Sequence, residues 1–202
     1  MSEPVLFVAG IGRCGTTLVM TMLDAGGFPI TGPRPSYEPA ERWSIGAPDV
    51  EWVSGCGGRA VKWIDPSQCL WLPTKMPVKP VVILMERHPR EQARSQCKML
   101  FVKSRQAEKA MERSIRRDIP KARARLRATA HLYKFRFEEA LANPFWFARA
   151  LDRITVEHWG RNIDTDSAMR AVIPRHPCCA PDLRLETHIL PLLAARIEGA
   201  AG

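Results

Sequence analysis

The start of the chain constrains it most, because the apolar run Val5–Ala9 breaks into Gly10-Ile-Gly-Arg-Cys-Gly-Thr-Thr17 and then into a segment reaching Leu23 that is apolar on one side. A short unbroken apolar run reads as a strand buried on both faces, the habit of parallel sheets. Thr16–Ala25, with Leu18, Val19, Met22 and Leu23 toward one side and Gly26-Gly27 behind it, reads as a helix. Strand, glycine loop and helix in this order gather backbone N–H groups at a helix N-terminus, a concave site of positive potential suited to phosphate or sulfate. The spacing Gly10-x-x-x-x-Gly15 is that of a P-loop, but Thr16 stands where the nucleotide-binding lysine belongs.

Further strands read from the same signal. Arg59–Ile64 alternates and ends at Asp65-Pro66, Val81–Met85 is purely apolar and ends at Glu86-Arg87-His88-Pro89, and His131–Phe137 is a later candidate. Helical sequence runs from Arg90 to about Arg127, with a division expected near Pro120, and another helix follows Asn143-Pro144 to roughly Leu151. Between Phe28 and Gly58 five prolines predict turns, with short helical pieces around Glu41–Trp43. Strands alternating with helices give an α/β fold, a three-layer parallel sheet with helices on both faces and P-loop NTPase-like architecture. Ligands collect beyond the carboxyl ends of such strands, so Gly10–Thr17, Asp65 and Arg87 should share one edge.

The 202 residues suit a single domain, with a motif-bearing core over about 4–150 and a tail over 151–202 packing on it. The N-terminal apolar run is too short for a signal peptide or membrane span, which predicts a soluble, cytoplasmic protein. Six cysteines without a CxxC pair favour free thiols over disulfides or zinc, including the His176, Cys178, Cys179 group. Net charge is +9, and between Lys103 and Arg127 ten cations face only Glu108, Glu112 and Asp118. No aromatic residue interleaves with them, so the stacking platform of a single-strand binder is missing, and a solvated helix face is the preferred reading over nucleic-acid binding.

Gly12-Arg-Cys-Gly-Thr-Thr17 resembles the phosphosulfate loop of sulfotransferases, and Glu86-Arg-His-Pro-Arg-Glu-Gln-Ala-Arg-Ser95 resembles their 3′-phosphate motif. Tyr133-Lys-Phe-Arg-Phe-Glu-Glu-Ala-Leu-Ala-Asn-Pro144 is similar to a strand and turn found late in the same family. The resemblance implies 3′-phosphoadenosine 5′-phosphosulfate as donor, no metal requirement, and a hydroxyl or amine of a small molecule or glycan as acceptor. It places the donor's 5′ end on Gly12, Arg13, Cys14, Gly15, Thr16 and Thr17, and its 3′-phosphate on Arg87 and Ser95. Sulfuryl transfer asks for positioning and for cations at the leaving phosphate, a role for which Arg13 is placed. The hydroxyls of Thr16 and Thr17 replace the lysine's point charge with neutral hydrogen bonds.

An acceptor hydroxyl must lose a proton, and Glu38, Glu41, Asp65 and His88 are the candidate bases. Glu38 is chosen from Ser36-Tyr-Glu-Pro39, where many family members place a catalytic glutamate; the alternative is a surface carboxylate paired with Arg34 or Arg42. Lys62 reads as pointing toward substrate or as an exposed strand lysine. Trp43, Trp52, Trp63 and Trp71 form either an aromatic wall or core. The chain departs from the family in carrying Cys14 where serine is usual and in lacking the C-terminal Arg-Lys-Gly element, where only Arg170, Arg175 and Arg184 supply cations. A P-loop small-molecule kinase and a non-catalytic basic nucleic-acid-binding protein are the alternative functions.

Overall fold

In the computed structural model the described residues are 3–38, 43–44 and 47–172. Strand β1 (Leu6–Gly10) is entirely buried and leads through the glycine loop into helix α1 (Thr16–Ala25). Two short strands, β2 (Trp43–Ser44) and β3 (Ala47–Pro48), pair antiparallel, and helix α2 (Val50–Ser54) follows, capped by the Asp49 carboxylate. Strand β4 (Ala60–Ile64) and two 3-10 turns precede β5 (Val81–Glu86), after which come helices α3 (Pro89–Met99) and α4 (Arg105–Thr129). Strand β6 (His131–Arg136) then passes directly into helices α5 (Phe137–Ala142), α6 (Pro144–Trp159) and α7 (Thr165–Arg170).

The main sheet is parallel throughout, in the order β4-β1-β5-β6. Because side chains alternate across a strand, Leu6 and Val8 of β1 and Val81, Ile83 and Met85 of β5 join one core with α1, α6 and α7. Phe7 and Ala9, with Val82 and Leu84, join the opposite core with Val61, Trp63 and Leu126. The chain leaves β1 toward β4 on one side and leaves β5 toward β6 on the other. The crevice between the ends of β1 and β5 is therefore a topological switch point, the place where a parallel sheet opens to a ligand.

Three expectations change. The helical stretch after β5 divides at Leu100–Ser104, with Ser104 capping α4, and α4 continues through Pro120. An interior proline costs about 3 kcal/mol, while burying Ile115 and Leu126, one on each side of it, contributes about 1.5–3 kcal/mol apiece. Packing on both flanks outweighs the break. Trp43 lies in a strand rather than a helical piece, Glu41 falls outside the described residues, and α6 runs on to Trp159. Among the described residues no helix is long and apolar enough to cross a membrane.

Candidate functional site

The glycine loop departs from ordinary backbone at two points. Arg13 and Gly15 have φ of 69° and 103°, both in the left-handed region. Gly15 is the N-cap of α1 and lends it no side-chain cap, so the first N–H groups of the helix are not closed off by a capping side chain. A Cβ on Gly15 would lie 2.5 Å from the Phe137 ring, and one on Gly10 would lie 2.3 Å from Cys14 Sγ and 2.7 Å from the Met85 carbonyl oxygen. At Arg13 the left-handed conformation costs about 1–2 kcal/mol for a residue with a Cβ, and it persists where the surroundings hold it. Its Nε donates to Ser95 Oγ at 3.0 Å, and its carbonyl oxygen accepts from Arg87 Nη1 at 3.3 Å.

Those partners come from the second quoted segment. The strand ends at Glu86, His88 is the N-cap of α3, Pro89 opens the helix with the fixed φ that a first helical position wants, and helical spacing then puts Gln92, Ser95 and Gln96 on one buried face. That face lies against the glycine loop: Gln92 Nε2 donates to the carbonyl oxygens of Ile11 (2.6 Å) and Gly12 (3.0 Å), and Gln96 Nε2 donates to Gly12 (2.8 Å). The third segment closes the unit. The Arg87 guanidinium stands over the Phe137 ring at 4.7 Å, a cation–π contact, and Glu138 Oε1 accepts the backbone N–H of His88 at 2.8 Å. Gln92, Gln96 and Phe137 were missed in the sequence, although the two glutamines flank Ser95 at helical spacing.

On the α1 side of the sheet the parity of β4 decides the site. Ala60 and Lys62 point toward α1, and Val61 and Trp63 point away. Lys62 is buried, 4% exposed, and its Nζ donates to Thr17 Oγ1 (2.9 Å), to the Ser36 carbonyl oxygen (2.7 Å) and to Glu38 Oε1 (2.8 Å). Burial pushes its ammonium below the usual lysine range, and the Glu38 carboxylate draws it back up. A cation therefore stands at the first turn of α1 although the loop has no lysine, because the neighbouring strand supplies it. The reading of Lys62 as an exposed strand lysine is overturned by that burial.

Glu38 lies at the outer end of this chain of contacts, its side chain half exposed. It pairs with Lys62 rather than with Arg34, which binds Asp24 at the end of α1, as does the Tyr37 hydroxyl at 2.9 Å. Cys14 is buried in the core, and burial pushes its thiol up to about 12, so the position packs instead of reacting. Thr16 is also buried. Asp65 does reach the expected edge, its N–H donating to the Gly10 carbonyl at 2.9 Å, but its carboxylate accepts from the Ser67 hydroxyl and the Gln68 side-chain amide of the following turn.

Among the described side chains the tryptophans form no common wall at the loop, and the side chain of Trp43 lies outside them. Trp63 is core, its ring tilted at 58° to that of Phe7, Trp52 lines a cavity beside β4, and Trp71 is surface-exposed. Arg170 ends α7 on the surface, and Arg175, Arg184, His176, Cys178 and Cys179 lie outside the described residues. The acids of the basic run are paired, Glu108 with Arg94, Glu112 with Arg116 and Asp118 with Arg117, while Arg123 grips Glu86. Beyond Arg87 a cleft of about 450 Å³ opens between Arg116, Arg123 and Arg136.

No protein-family model matches the chain, and no curated protein is similar to it in sequence. Among solved structures it is similar to sulfotransferase STF9 from Mycobacterium avium, with a TM-score of 0.51 and 11% identity over 96% of this chain and 76% of that one. At that identity the likeness establishes a sulfotransferase-like fold.

Proposed function

We propose that the chain is a sulfotransferase, moving a sulfuryl group from 3′-phosphoadenosine 5′-phosphosulfate to a hydroxyl or amine. The observation that carries this reading is the meeting of the glycine loop with Arg87 and Ser95 at Arg13, which puts two places for anionic groups side by side at the switch point. The left-handed loop at the head of α1 suits the donor's phosphosulfate, with Gly12–Thr17 as the cradle. Arg87 and Ser95 hold the 3′-phosphate, and Arg13 stabilises the charge that gathers on the departing 5′-phosphate oxygen. Lys62, through Thr17, supplies the cation at the reacting end, and Glu38 accepts the acceptor's proton as the new S–O or S–N bond forms and the S–O bond to phosphate breaks.

Thermal unfolding with adenosine 3′,5′-bisphosphate, set against ATP with magnesium, tests the reading. At a hundred times its dissociation constant the bisphosphate should add about 2.7 kcal/mol of stability. Stabilisation by ATP with magnesium alone would turn the assignment toward a kinase and end this proposal.

A further inference from the structure

We infer that Gln92 and Gln96 are positioning residues that shape the anion cradle by holding the carbonyl oxygens of Ile11 and Gly12. A trans peptide is planar, with its C=O and N–H pointing in opposite directions. Fixing the Ile11 carbonyl against Gln92 turns the Gly12 N–H away from α3, and fixing the Gly12 carbonyl against Gln92 and Gln96 turns the Arg13 N–H the same way. A loop free to rotate these two peptides would present carbonyl oxygens to an anion as readily as N–H groups. The glutamines remove that alternative before the ligand arrives, which is preorganisation in the sense that matters for binding and for electrostatic catalysis.

Two further observations favour this role over simple packing. Gln92 is fully buried and Gln96 is 8% exposed, yet the Oε1 atom of each has no hydrogen-bond partner among the described residues. An interface needing only volume would be filled better by apolar side chains, since a buried acceptor left unmatched is destabilising. Second, the left-handed Arg13 follows immediately, so any rotation of the Gly12 peptide would carry the Arg13 guanidinium away from Ser95.

The inference rests on the proposed donor site, but its test separates the two. Gln92→Met, Gln96→Met and the double variant keep the volume and remove the amides. Calorimetric titration with adenosine 3′,5′-bisphosphate and with inorganic pyrophosphate should show about ten-fold weaker binding of both in each single variant and a larger loss in the double, at a temperature where every variant is folded, with a melting temperature lowered as the Ile11 and Gly12 carbonyls lose their donors. Amide resonances of Gly12 and Arg13 that move on anion addition in the parent protein should move less in the variants. Parent protein that binds pyrophosphate but not the bisphosphate would end the donor assignment and leave the clamp standing. Unchanged affinity in the double variant, or no anion binding by the parent protein, would overturn the clamp. Should the double variant fail to fold, the two singles decide by the same affinities.

Discussion

The two ends of the site are built differently. At the proposed donor end the loop Gly10–Thr17 is fixed from three sides, by Arg87 and the face of α3, by Phe137 beneath Gly15, and by its own strand. At the proposed acceptor end Glu38 is held by one ion pair and by a turn tied to the end of α1 through Asp24. Lys62 touches both. The proposed phosphosulfate donor would be the same molecule at every turnover and would favour a rigid cradle, whereas acceptor specificity is set by loops, which tolerate change.

Lys62→Met should therefore do the most damage. It removes the cation beside Thr17 and leaves the Ser36 carbonyl and the Glu38 carboxylate without their donor, so kcat/KM should fall about a thousand-fold and bisphosphate affinity should fall with it. Glu38→Gln should lower kcat about a hundred-fold and leave bisphosphate affinity intact, as loss of a general base does. Steady-state kinetics with titration calorimetry read both. If Glu38→Gln weakened the nucleotide as much as Lys62→Met, the division between the two ends would be wrong.

Next in size is Gly15→Ala. The left-handed φ and the Phe137 ring at 2.5 Å from any Cβ together predict a loss of about 2–4 kcal/mol. Thermal or denaturant unfolding measures it. A loss below about 1 kcal/mol would show that Phe137 yields, and that the donor end is less rigid than its contacts imply.

The donor end was also the more legible in the sequence, for the same physical reason. Buried parallel strands are continuous apolar runs, and a loop that must take left-handed conformations against a helix advertises itself in glycine, so β1, β4, β5 and Gly10–Thr17 could be read directly. What could not be read depends on distance in space. Lys62 could be read in the sequence either as pointing toward substrate or as an exposed strand lysine, and the register Val8↔Lys62, which sets it beside β1 on the α1 face, decides that it is buried. Gln92 and Gln96 carry no signal except spacing, because a buried amide whose partners are backbone carbonyls of another segment has no sequence pattern. Pro120 misled because local propensity lost to the burial of Ile115 and Leu126.

The smallest effect expected belongs to Asp24→Asn, and its pH dependence makes it informative. Hydrogen bonds from Arg34 hold the Asp24 carboxyl below its ordinary 3.8, the Tyr37 hydroxyl adds to this, and burial opposes it. As pH falls, the unfolded chain takes up this proton first. The carboxylate's contribution is therefore complete well above 3.8, shrinks as pH falls through that value, and is gone below the folded pKa. Arg34 is solvent-exposed, and exposed ion pairs contribute little, so the melting temperature at pH 7 should drop only slightly in the variant. The gap from the parent protein should close as the medium becomes acid. Because Asp24 anchors the turn that carries Glu38 through its bonds to Arg34 and Tyr37, kcat should fall modestly while bisphosphate affinity stays put. A stability gap that survived at acid pH would mean that Asp24 acts by shape and not by charge, and the acceptor end would then be held more firmly than one ion pair and one anchored turn suggest.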